Sequence, residues 1–112
     1  MADYTQSIID RWSTTGSGTN AGVSSTHGLV LAQAHTATSI QCSSDLAAVV
    51  TIESPAGVVL WRKRYAAAFT MSEVFPPGTI NGAYASDILV KVSASTAACE
   101  ANMQGFTVLA HN

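Results

Sequence analysis

Charge is scarce in this chain. Lys, Arg, Asp and Glu make up 11% of its 112 residues, less than half of the roughly 25% found in an average soluble domain. Ala, Ser and Thr fill the space. A surface built so largely of small uncharged residues is easiest to keep soluble when part of it is covered, which points to an oligomer or a larger particle. The formal net charge of −2 supplies no basic footprint for nucleic acid, where Lys and Arg would cluster. The one basic run is Arg62-Lys63-Arg64. It reads as a solvated strand end or an ion-pair partner, with contact to an acidic protein surface as the alternative.

Long apolar runs are missing too. No stretch approaches the roughly 18 residues of a membrane span, and Met1-Ala-Asp-Tyr-Thr-Gln6 has neither the positive start nor the apolar centre of a signal peptide. The expectation is a mature chain made in a cytoplasm, with no membrane partner. Cys42 and Cys99 are too few for a disulfide framework and lack a C-x-x-C spacing. Both fall in apparent strands, where small buried thiols are the default. A bridge from an early strand to the last one stays open.

Catalytic signatures are lacking as well. There is no G-x-S-x-G elbow, no phosphate loop and no G-x-G-x-x-G. His27 and His35 lie apart from any Cys or paired carboxylate, and His111 is next to the end, so zinc-ligand spacing is absent. Asp45, Glu53, Glu73, Asp87 and Glu100 are scattered rather than paired for glycoside hydrolysis. The reading is of a chain that is no enzyme and takes no metal or cofactor. Trp61 and Tyr65 on one strand face, with Tyr84 elsewhere, leave a sugar-stacking surface as the small-ligand alternative, although a Trp in mid-strand belongs more often to the core.

What the chain has in quantity is alternation. Ile88, Val90 and Val92 share one face of a strand while Asp87, Lys91 and Ser93 share the other. Strands are expected near 29–34, 38–43, 47–53, 58–65, 69–75, 84–93 and 102–109, with an eighth in 22–27. Ser54-Pro-Ala-Gly57 fits a type I turn joining a hairpin of 48–53 and 58–65. Short strands with turns at this rhythm predict an antiparallel β-sandwich.

The N-terminal stretch reads differently. Tyr4, Ile8 and Trp12 at i, i+4, i+8, with Ile9 adjacent, make an apolar stripe on a short helix, and Asp3 with Gln6 resembles a capping box. Ser13–Gly22 has a linker's composition. The expected organisation is an N-terminal helical or extended arm with a flexible linker over 1–22 and a sandwich body over 23–112. Tyr4, Ile8, Ile9 and Trp12 are the candidate partner-binding residues.

The body resembles the small β-sandwich proteins encoded among the structural genes of tailed bacteriophages. Three stretches carry the resemblance: Val49-Val-Thr-Ile-Glu-Ser-Pro-Ala-Gly-Val-Val-Leu-Trp-Arg62, Ser86-Asp-Ile-Leu-Val-Lys-Val-Ser-Ala-Ser95 and Met103-Gln-Gly-Phe-Thr-Val108. It implies a jelly-roll-like sandwich that assembles as a homotrimer and sits in the virion. The implied partner is the major capsid protein or another virion protein, the protein serving as a capsid decoration (cement) protein. A fibre-associated adhesion module and a carbohydrate-binding module are the alternatives. No catalytic residues come with the resemblance.

Overall fold

The computed structural model describes residues 8–19, 22–94 and 97–109, and every regular element among them is a strand. These are β1 (Ile8–Gly18), β2 (Val23–His27), β3 (Gln33–Ser44), β4 (Ala48–Glu53), β5 (Val59–Tyr65), β6 (Phe69–Val74), β7 (Ile80–Asn81), β8 (Ile88–Ser93) and β9 (Cys99–Leu109). They form two antiparallel sheets packed face to face. The first has the order β1-β9-β3-β6, with the short β7 attached to β3; the second has the order β2-β8-β4-β5. The chain is therefore all-β and sandwich-like, as its alternation predicts.

The core is what the period of two places between the sheets. Ile88, Val90 and Val92 are fully buried. Val50 lies opposite Val92 and Ile52 opposite Val90 on the neighbouring strand. From the facing sheet come Ile40, Cys42, Ala101 and Met103. The thiols of Cys42 and Cys99 are both free and buried. Cys42 pairs with Ala101 while Cys99 pairs with Ser44, so the two are diagonal neighbours, an offset too wide for a bridge. Burial pushes the Cys42 thiol up to about 11.

The β4–β5 hairpin forms as expected, but its turn sits one residue later. The Val58 amide donates to the Pro55 carbonyl at 2.9 Å, and Gly57 takes a φ of 95° at the third position of the turn, where a positive φ favours glycine. β8 and β9 lie in different sheets, so the small-residue connection between them crosses the sandwich. The segment expected as a strand over 29–34 is a loop until Gln33, where β3 begins.

The largest correction concerns the N-terminus. The helix read over 3–12 lies partly outside the described residues, and from Ile8 onward the chain is strand, not helix. β1 runs along β9 from Ile8↔Val108 to Gly18↔Cys99, so the stretch from Ser13 to Gly18 read as flexible linker is an ordered edge strand. A register shift between Ile8 and Asp10 breaks the even alternation there, so Ile8 pairs with Val108 while Trp12 pairs with Gly105, on opposite faces of β9. The Gly and Ser content has a packing reason. A Cβ on Gly16 would stand 3.0 Å from the Ser24 carbonyl oxygen, because β2 of the other sheet passes close beneath. Thr14 and Ser25 join hydroxyls at 2.8 Å across the sheets, and Ser25 donates to the Ala101 carbonyl at 3.0 Å. The opposite side of the sandwich is closed by rings: Tyr65 stacks on Phe69 at 4.0 Å, and Trp61 meets Phe75 edge-on at 5.6 Å.

Candidate functional site

Of the residues expected to bind a partner, Tyr4 lies outside the described residues. Ile8 and Ile9 begin β1, Ile8 in register with Val108. Trp12 is turned inward. Its ring stacks on His27 with centroids 4.4 Å apart and an 11° tilt, and meets His35 edge-on at 5.8 Å. The indole Nε1 is buried without a hydrogen-bond partner among the described residues. Trp12 therefore belongs to a ring cluster that fastens the edge strand to the sandwich.

His35 is the fixed member of that cluster. Its Nε2 lies 2.7 Å from the Gly28 carbonyl oxygen and its Nδ1 2.7 Å from the Thr107 hydroxyl. A carbonyl can only accept, so Nε2 carries the proton and Nδ1 accepts from Thr107 when the ring is neutral. His27 is held below its ordinary value of 6.5, by burial first and by the neighbouring His35 second, with Asp10 acting in the opposite direction. A base whose folded pKa is lowered contributes stability above 6.5 that is lost as pH falls through 6.5 toward the folded value. Melting temperature is thus expected to drop between pH 7 and pH 5. His27→Phe, which keeps a ring against Trp12 but cannot take a proton, should flatten that part of the profile. An unchanged slope in the variant would assign the acid sensitivity elsewhere.

One end of the sandwich gathers exposed apolar side chains. The β2–β3 loop presents Leu29, Val30 and Leu31, the last 78% exposed, and Tyr84 and Leu109 are half open to solvent. Backbone bonds hold these segments together. The Gln33 amide donates to Val30 and the Ala85 amide donates to Gln33, while Gln33 pairs with Leu109. β1 starts at this same end, with Ile8 in register with Val108, the neighbour of Leu109.

The outer face of the β1-β9-β3-β6 sheet is the second surface. Strand register sets Ser13, Gln104, Ser39 and Val74 in one row, Thr15, Asn102, Gln41 and Ser72 in the next, and Ser17, Glu100, Ser43 and Thr70 in the third. Glu100 is the one charged residue in these three rows and Val74 the one apolar one, with Arg11 next to Ser13 on the same face. Two shallow hollows, of about 230 and 360 Å³, flank the middle row and share Gln41 and Asn102. From Trp12 to Ser44 the chain carries no Asp, Glu, Lys or Arg, and β1, β2 and β3 are drawn almost wholly from that stretch.

No reacting constellation accompanies these surfaces among the described residues, and no group of three His, Cys, Asp or Glu converges there as metal ligands would. His27 and His35 are engaged with Trp12 and each other, and Glu53 is tied into its own turn. Trp61 and Tyr65 face the sandwich interior edge and pack on Phe75 and Phe69, so they do not form a flat exposed platform. In the sequence Leu29-Val-Leu31 reads as a buried strand; its lack of alternation, just after Gly28, is the signal that points to a loop instead. No protein-family model matches the chain, and no curated protein or solved structure is significantly similar to it.

Proposed function

We propose that this chain is a bacteriophage virion structural protein, a capsid decoration protein that acts as a trimer and bridges major capsid subunits. The observation that carries the reading is the pairing of an apolar end with a nearly charge-free sheet face on one small domain. Interfaces are depleted of charge at their centres, and a monomer seldom leaves apolar side chains clustered in solvent without a partner for them. The strand order β1-β9-β3-β6 over β2-β8-β4-β5 adds support, since it is the jelly-roll order when β7 is set aside.

In this mechanism the rigid sandwich spans a seam between capsid subunits. The loops bearing Leu29, Val30, Leu31 and Tyr84, together with the N-terminal arm, grip neighbours on either side. Several weak contacts made by one trimer act at high effective concentration on one another and add up to firm clamping.

Light scattering on a sizing column should give three times the 11.6 kDa chain mass, and purified capsids should bind the protein to saturation. Leu31→Asp is expected to lower capsid occupancy about tenfold, the cost of placing one charge in an apolar contact. Removing residues 1–7 is the sound test of the arm, because a cut after Trp12 would also strip half of an edge strand from the sheet. A monomer that ignores capsids would overturn the reading.

A further inference from the structure

Among the described residues strand β5 is an edge of its sheet, paired with β4 alone, and it carries three of the chain's five Lys and Arg residues. Arg62 and Arg64 lie opposite Thr51 and Val49 on the outer face; Lys63 lies opposite the buried Val50 on the inner face. All three are exposed. Among the described residues the one ion pair is Lys91 with Glu53 at 3.3 Å, so none of the three has a carboxylate partner there. Protecting a sheet edge from wrong pairing takes a single inward-side lysine. Lys63 serves that purpose, its Nζ resting 5.3 Å above the Tyr65 ring. Two outward arginines at i, i+2 are left over.

Where β5 ends, an open hollow of about 480 Å³ lies toward β4 and the end of β8, lined by small residues that include Ser93 as well as Ala48 and Ala94, with Arg64 and Tyr65 at its rim. We propose that the β5 edge is a docking site for an extended acidic segment of a partner protein, which adds to the sheet as a further strand. Its carboxylates, spaced at every second residue, meet Arg62 and Arg64 across the strand pair. Free backbone groups along the edge supply hydrogen bonds, and the side chains supply selectivity. Nucleic acid would satisfy the cations but would leave the backbone edge unused. The site stands whether or not the chain belongs to a virion.

The test uses the full chain and a capped nine-residue peptide with a central Glu-Val-Glu-Val-Glu, compared with its Gln-for-Glu twin. The Glu peptide is expected to bind saturably and to weaken with salt. Binding should fall about tenfold for the Gln peptide and about tenfold for the Arg62→Gln/Arg64→Gln variant, a difference of about 1.4 kcal/mol. Amide exchange should slow along residues 59–65 when the Glu peptide is bound. Equal binding of the two peptides, unchanged exchange along β5, or no binding of the Glu peptide at about 1 mM would each overturn the proposal. So would tighter binding of a DNA duplex of about 20 base pairs than of the Glu peptide. Both arginines are exposed, and the peptide comparison on the unaltered chain decides the matter even if the variant folds poorly.

Discussion

Gly105→Ala should destabilise this protein by about 3 kcal/mol, at the upper end of what overpacking costs, and lower its melting temperature by on the order of 10 °C. Gly105 stands between Trp12 on β1 and Ala37 on β3. A Cβ placed there collides with the Thr36 carbonyl oxygen and comes within 2.6 and 2.7 Å of Trp12 Cζ2 and Cη2. The indole is held between His27 and His35 and the carbonyl belongs to the adjacent strand, so both clashes count. Urea unfolding followed by circular dichroism measures the loss. In the double variant Gly105→Ala/Trp12→Ala the ring clash is gone and the carbonyl clash remains, so relief of the Gly105→Ala defect should be partial. Full relief would place the whole strain on Trp12, and an unperturbed Gly105→Ala would refute the packing argument. The glycine is the reason an edge strand can lay a tryptophan flat against the sheet, and with it the reason β1 belongs to the body.

That pair also shows why the first quarter of the chain was the hardest to read. Trp12 has a partner, Gly105, more than ninety positions away, and nothing local distinguishes a strand that needs such a partner from a helix that lacks one. The central and C-terminal strands were legible because their alternation is driven by Ile and Val at Val50, Ile52, Ile88, Val90 and Val92, residues that a sheet buries wherever it forms. In β1 the inward positions are Trp12, Thr14, Gly16 and Gly18, chosen for close approach rather than for hydrophobicity, and the period of two is hidden in Ser, Thr and Gly. The same limit applied to surfaces. Low charge in the composition says that much of the surface is neutral, but only strand register shows that the neutral residues of β1, β3 and β9 share one face. The loop of Leu29, Val30 and Leu31 was concealed by the opposite error, an apolar run that a strand-forming propensity explains equally well.

Glu53→Ala is expected to cost about 3 kcal/mol and to loosen the apolar end as it does so. The side chain is buried and accepts from the Gly57 amide at 2.8 Å and the Thr51 hydroxyl at 2.9 Å, with Lys91 Nζ at 3.3 Å. Removing the carboxylate leaves a buried hydroxyl and a turn amide unpaired, each worth about 1–3 kcal/mol, while Lys91 is open enough to return to water and adds little. Glu53→Gln keeps an acceptor for Gly57 and should cost about half as much. The Gly57 amide first, then Thr51 and Lys91, outweigh burial and hold the Glu53 carboxyl below its ordinary 4.5, so its contribution is present above pH 4.5 and lost as pH falls through the lowered value. That acid loss should be missing in Glu53→Ala. The consequence reaches the proposed contact surface through Ser54, the next residue. Its hydroxyl donates to the Asp87 carbonyl at 2.6 Å and accepts from the Ala83 amide at 3.1 Å, tying the turn to the loop that carries Tyr84. Hydrogen exchange in residues 82–87 should therefore quicken in Glu53→Ala while the amides of β9 stay protected, and capsid occupancy should fall with it. Quickened exchange with occupancy unchanged would leave the turn's structural role intact and remove the Tyr84 loop from the grip.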